Sequence, residues 1–582
     1  MKKHRIAGLA LALGLLMISP AAASEGMPEV VLGDVQVTIQ PAEHQAEPTQ
    51  ITVSSSRPVV TDAQQRILEK YYQILPELKK LTLQTAGESS IEGTWDFQFY
   101  QTPPQGSSPV WAANAQLIVA ANTGELEILR ISHPQWATEE LPPAELAKQQ
   151  AAQFIKQLMG DKADLYRLNP SLGYGGSSSS DSEGNELHWS TASVSFDPVI
   201  NGIPVLYNEL QVDVDAAGRI TGFYRHQSAL RDVSSFPDPA KAISQPVAAA
   251  IMNQLIQMKL RYVQHQPLQY APGWSNKPRE TRPVLMYIPE FESAIDAFTG
   301  KPAWGEDYLS SQGERVKLTG AGKPLFAQTS EEAAKILTEE FNVDMSKLEF
   351  EQLFEREDVL QGDKKYKHYL WRTAGDAEVG MNRKYVQLHT VAATGEILRF
   401  SVQEDVTVDE EARVSPELLR QKAVQLVENY LPAGAAEMEL VTFNFSAVPD
   451  WVDKQQLKKE KLPQPTTSFV FYPLHQGIPV SDGAYAVSVN NITGEVTEYA
   501  KGGLDTAVTL PDSQGVVAAE VARAEYLKNH PLQLIYRWPE WFGQRAAKPE
   551  LVYMLNADIG WGYIDAFTGK TVMIQNGSTQ NP

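Results

Sequence analysis

Apolar positions along this chain alternate between two periods, and the alternation predicts helices followed by strand pairs. Six stretches repeat apolar residues at helical spacing: Asp62 to Leu75, Pro142 to Leu158, Pro246 to Met258, Ser330 to Phe341, Pro416 to Tyr430 and Gly515 to Leu527. In the fifth, Leu419, Ala423, Leu426, Val427 and Tyr430 fall on one stripe, which has to be covered. Period-two stretches such as Leu210-Gln-Val-Asp-Val214 and Tyr485-Ala-Val-Ser-Val489 predict strands with one buried face. Each runs into a turn closed by Asp or Asn and ending in Gly: Asp215 to Gly218, Asn490 to Gly494, and Asn122-Thr-Gly124. The Asx side chain bonds the turn backbone and Gly supplies positive φ, so the chain returns as a hairpin.

The pattern is written twice. Gly202-Ile-Pro-Val205 recurs 275 residues on as Gly477-Ile-Pro-Val480, and Ile295-Asp-Ala-Phe-Thr-Gly-Lys301 recurs identically 269 residues on as Ile564 to Lys570. Thr123-Gly-Glu125 answers Thr394-Gly-Glu396, and Trp95 answers Trp371. Thr61 with Gln64 and Thr329 with Glu332 are matching capping boxes. Residues 61–304 therefore form a first copy and residues 329–575 a second, each made of three helix-plus-strands parts. Residues 305–328 read as a linker, 403–413 as an acidic joint, 173–185 as a flexible serine- and glycine-rich loop, and 576–582 as a tail. The predicted fold class is α+β: tandem units, each a helix on a small antiparallel sheet, in two copies of a three-part repeat.

The N-terminus adds a basic stub (Lys2, Lys3, Arg5), an apolar run from Ile6 to Ile18 and Ala21-Ala-Ala23, the pattern of a signal peptide over residues 1–23. Residues 24–60, rich in Pro, Glu, Gln and Ser, read as an extended segment. Export to the extracellular or cell-wall space is the expectation, with no transmembrane segment after signal removal. The chain has no cysteine, which excludes thiol chemistry and disulfides and leaves core burial to hold the fold. With 50 basic against 71 acidic residues the net charge is −21, a field that repels nucleic acid and anionic lipid.

Helix, strands, Gly-Ile-Pro-Val, the strand pair around Val212-Asp-Val214, and the closing Ile-Asp-Ala-Phe-Thr-Gly-Lys together resemble the repeated domain of YcdB/YcdC proteins of Bacillus- and Paenibacillus-type bacteria. The single helix-plus-hairpin unit is similar to the PepSY domain. What this resemblance implies is a Gram-positive envelope protein with a binding role, its partner another exported protein, a peptidase in particular. It brings no catalytic residues and no cofactor to carry over.

No catalytic motif stands out. None of the ten His has a second His one helical turn away, so a helical zinc-peptidase motif is missing, and no G-x-S-x-G elbow or phosphate loop is present. Asp213 and Asp215 read as one exposed face entering a turn and lack the ligand series of a calcium loop. Trp538, Trp541 and Phe542, with Trp274 in the matching place of the first copy, read either as anchors for a protein or sugar ligand or as rings plugging a helix against its sheet. The expectation is a non-catalytic binding protein with no metal or cofactor. The alternatives are a hydrolase of wall glycan or peptide using carboxylates the sequence does not single out, and a purely structural repeat.

Overall fold

The computed structural model describes residues 58–101, 112–181, 184–206, 209–226, 233–267, 281–290, 294–303, 313–357, 365–373, 384–406, 413–444, 449, 451–453, 455, 462–463, 465–504, 507–541, 544–555 and 561–574. The first body holds α1 (Asp62–Ile74), β1 (Thr82–Glu88), β2 (Thr94–Tyr100), β3 (Asn114–Ala120) and β4 (Leu126–Ser132). It continues with α2 (Ala144–Met159), β5 (Tyr166–Ser180), β6 (Glu186–Ile200), β7 (Ile203–Pro204), β8 (Leu210–Asp215) and β9 (Ile220–Arg225). Its antiparallel sheet runs β1-β2-β3-β4-β9-β8-β6-β5, with β7 folded back on β6.

After α3 (Gln245–Leu255), β10 (Gln257–Pro267), β11 (Thr281–Glu290) and β12 (Ala294–Asp296), the pattern restarts. The second body holds β13 (Glu314–Gly320), α4 (Ser330–Glu339), β14 (Leu348–Glu357), β15 (Lys365–Thr373), β16 (Lys384–Val391), β17 (Ile397–Val406) and α5 (Pro416–Tyr430). There follow β18 (Gly434–Asn444), β19 (Leu462–Pro463), β20 (Thr466–His475), β21 (Ile478–Pro479), β22 (Tyr485–Asn490) and β23 (Val496–Lys501). Its sheet order, β13-β18-β20-β22-β23-β17-β16-β15-β14, repeats the first with one strand added at the edge. The chain closes with α6 (Ala519–Asn529), β24 (Leu532–Arg537), β25 (Glu540–Trp541), β26 (Gln544–Arg545), β27 (Glu550–Leu555), β28 (Trp561–Asp565) and β29 (Thr571–Ile574).

Local chemistry sets these elements. Thr61 caps α1, its hydroxyl accepting from Gln64 N at 3.2 Å while Thr61 N donates to Gln64 Oε1 at 2.9 Å. Ser415 caps α5 with Pro416 at the first helical position. The α5 stripe is buried as its spacing requires, against Phe471, Tyr485, Val487 and Tyr499 of the second sheet. In the first body Ala147, Ala151, Phe154 and Ile155 of α2 and Leu68 and Tyr71 of α1 meet Phe97, Leu117, Val194, Val212 and Phe223.

Four expectations are corrected here. The helix-on-sheet units of each copy are not separate: β4 pairs with β9, and β17 with β23, fusing two units into one sheet. The supposed linker 305–328 contains β13, whose Val316 and Leu318 are buried while it pairs with β18 from Glu314↔Leu440 to Gly320↔Gly434. The supposed loop 173–185 is mostly strand: β5 pairs with β6 as far as Ser180↔Glu186. The acidic joint at 403–413 likewise begins inside β17.

The third parts of the copies interlock. β11 pairs with β28 (Met286↔Asp565, Tyr287↔Ile564), and β12 pairs with β27 (Ala294↔Met554 to Asp296↔Val552). One sheet is thus β10-β11-β28-β29 and the other β12-β27-β24, each combining strands of both copies. The details match about a pseudo-twofold: Tyr287 Oη donates to Val517 O at 2.6 Å and Tyr553 Oη to Ile243 O at 2.7 Å. Tyr262, Tyr287 and Ile295 of one copy share a core with Tyr536, Tyr553 and Ile564 of the other.

The Gly-Ile-Pro-Val segments serve this junction. Asn201-Gly202 and Gln476-Gly477 all take positive φ and fold β7 and β21 back onto β6 and β20 as tight hairpins. Val205 then bridges to Tyr536 of the second copy, and Val480 to Tyr262 of the first. Each copy clasps the other's third part with the same motif.

Candidate functional site: an open sheet edge beside β5

The hairpin β5–β6 ends at Asp181, whose carboxylate accepts from Asn185 N and Nδ2, both at 2.9 Å, with Gly184 at φ +82°. Its far half is braced on one side only: Ser190 N donates to Thr138 O at 3.1 Å and the Trp189 indole N–H to His133 O at 3.0 Å. Because Ser190 turns its N–H away from β5, the pair Gly176↔Ser190 is not a hydrogen-bonded one. At the tip Asp181 N donates to Asn185 O, in phase with this. By the alternation of antiparallel ladders, Leu172, Tyr174, Gly176, Ser178 and Ser180 therefore direct their backbone N–H and C=O groups outward. Among the described residues no strand pairs with that side of β5.

From Leu168 to Ser180 the strand carries no charge. Sheet edges are ordinarily guarded by charged residues, by shortness or by cover. β13 carries Glu314, Arg315 and Lys317; β14 carries Glu349, Glu351 and Glu355; β1 has seven residues. β18, which holds the place of β5 in the second sheet, is covered by β13. β5 is long, without charge from Leu168 to Ser180, and uncovered by any described strand, so it offers a template for an incoming extended chain.

The aromatic residues sit elsewhere. Trp538 is half-buried: its N–H donates to Ala546 O at 2.7 Å, its ring meets Phe236 edge-on at 5.6 Å, and Arg545 lies over it at 5.4 Å. Trp541 is 9% exposed. Both pack against their own chain and are not brought to the β5 edge. Trp274 and Phe542 lie outside the described residues.

The turns Asp296–Gly300 and Asp565–Gly569 are hairpin bends with exposed Phe298 and Phe567 at their corners, not polar pockets. Asp296 Oδ1 accepts from Phe298 N at 3.1 Å and Thr299 N at 2.7 Å, and Asp565 Oδ1 from Phe567 N at 3.1 Å and Thr568 N at 2.8 Å. Asp215, expected to be exposed, is buried and ties its turn through Ala217 N, Arg219 N and the Arg219 guanidinium. Among the described residues no group of three or more His, Asp or Glu side chains is placed to hold a metal.

One carboxyl lies half-buried on the outer face of each sheet. Asp213 accepts from Ser193 Oγ at 2.6 Å and Gln211 Nε2 at 2.9 Å; burial pushes its pKa up, and these bonds partly restrain the rise. Glu498 is likewise raised by burial, against the pull of Arg399 at 2.7 Å. They stand on opposite strands of the matching cross-strand pair: Asp213 of β8 faces Gly222 of β9, whereas Glu498 of β23 faces Ser488 of β22. They lie on separate sheets and are not a pair around one substrate.

Fold and edge define a class first: a two-copy repeat protein of helices on antiparallel sheets, with its copies interlocked. Residues 346–503, which span β14 to β23, match the family model "YcdB, YcdC repeated domain", so the resemblance read from the repeated motifs holds over this part of the second copy. Among solved structures, the C-terminal domain of Bacillus megaterium YpeB is similar at 13% identity, covering 44% of this chain and 100% of that chain, with a TM-score of 0.22. No curated protein matches the chain.

Proposed function

We propose that this protein is an exported, non-catalytic binding protein of the cell envelope that holds an extended segment of another exported protein by adding it as a strand to β5. The observation that carries this reading is the row of outward backbone groups from Leu172 to Ser180, a stretch of β5 without charge. A secreted peptidase is the partner class implied by the resemblance to PepSY domains, and an extended, substrate-like segment of such an enzyme fits edge pairing.

Fluorescence anisotropy with labelled, uncharged ten-residue peptides of high β-propensity tests the pairing. Gly176→Pro removes one outward N–H donor without touching the ladder to β6, and it should weaken binding about tenfold or more. Equal binding by Gly176→Pro and the unaltered protein, with both folded, would contradict edge pairing.

A further inference from the structure

The two junctions between the sheets and the interlocked third parts are built on equivalent positions, yet one is filled and the other open. In the second junction Arg261 of β10 is 6% exposed, donates to Glu439 at 3.1 Å and Glu290 at 3.4 Å, and lies 4.2 Å over the Tyr472 ring. Lys259 pairs with Glu290 beside it. Two cations and two carboxylates thus close that seam.

Strand register identifies the counterparts in the first junction. Arg167 pairs with Asp197 as Glu439 pairs with Tyr472, and the bridges Val205↔Tyr536 and Val480↔Tyr262 align Ile535 with Arg261 and Gln533 with Lys259. Where the second junction has a guanidinium stacked on a phenol ring, the first has an isoleucine and an aspartate. The missing volume is a cleft at the foot of β5. Asn169, Asp197 and Gln533 supply its polar side and Leu206, Ile535 and Met554 its apolar side. Asp197 is 4% exposed and accepts from Asn169 Nδ2 at 3.3 Å; Arg167, exposed at the rim, donates to Gln533 Oε1 at 3.2 Å.

We infer that this cleft receives an arginine side chain carried by the segment that pairs with β5. The inference rests on the edge-pairing reading and adds a requirement to it. The sister junction holds a guanidinium in the equivalent place, the buried charge here is a carboxylate, and the apolar wall suits a methylene stem. The net charge of −21 favours a basic ligand at long range. Arg167 and Asn169 belong to β5 itself, so the cleft is continuous with the edge.

The test is the ten-residue peptide with one arginine moved along its length, against matched alanine and glutamate sets, read by anisotropy. At one register arginine should bind about tenfold tighter than alanine, and glutamate weaker than alanine. Ile535→Arg, which fills the cleft from within, and Asp197→Asn should each bring the arginine peptide down to the affinity that the alanine peptide has for the unaltered protein. Arg167→Ala, which removes a like charge, should raise the preference for arginine. Equal binding of arginine and alanine peptides at every register would overturn the cleft while leaving strand pairing intact, as would a preference for glutamate. If none of the peptides binds, both readings fall.

Discussion

At Gly300 the backbone runs at φ +71°, and an added Cβ would meet Ile251 Cδ1 at 2.6 Å. The conformation costs a non-glycine residue about 1–2 kcal/mol before the clash is counted, so Gly300→Ala should lower stability by at least that much in chemical denaturation. Gly202, also at positive φ but with open space around its missing Cβ, should cost less on the same substitution. Asp213 offers a test by pH. Its folded pKa is raised, so its protonation stabilises the fold fully below the unfolded value, and that contribution is lost as pH rises through the folded one. Asn at this position could still accept from Ser193 and Gln211. Asp213→Asn should therefore melt no lower than the unaltered protein at about pH 7, and the unaltered protein should gain on it as the pH falls to about 4. A difference independent of pH would mean that the carboxyl is not held in its neutral form by burial.

Among the elements, β10 is the strand on which the second junction turns. Arg261→Ala would leave Glu439 facing the seam without its cation and strip the cover from Tyr472, a loss of about 3 kcal/mol measured by denaturant unfolding. The elements most legible in the sequence were those fixed by neighbours in the chain. Helix stripes, the capping box at Thr61 and the Asp-Ala-Phe-Thr-Gly bends all stand as their residues require, because each depends on contacts within a few positions. β5 was hidden by composition: Gly173, Gly175, Gly176 and four serines signal a loop, yet the strand is held through its backbone to β6 and needs little from its side chains. β13 carries a legible alternation, with Val316, Leu318 and Gly320 set against Arg315, Lys317 and Thr319. The aromatic cluster drew notice for its size, whereas the candidate edge is marked by what it lacks.

Across the whole molecule the repeat is visible in the sequence and the interlock is not. A period-two pattern says which face of a strand is buried, and nothing in it says which copy supplies the neighbouring strand. The pairing of β11 with β28 and of β12 with β27 binds residues more than two hundred positions apart, and the Gly-Ile-Pro-Val segments cross in the same sense. The two copies are therefore one folding unit at their third parts, and the two sheets are held in a fixed relation through that shared core. The most direct measurement joins Ala294→Cys and Met554→Cys, which face each other across β12 and β27 in a chain that has no other cysteine, with a protease site placed within residues 305–312. After oxidation and cleavage, a non-reducing denaturing gel should show the two halves still covalently joined, and native mass spectrometry of the reduced, cleaved protein should still show one particle. Halves that separate on the non-reducing gel, with each third part folded on its own, would contradict the exchange of strands between copies.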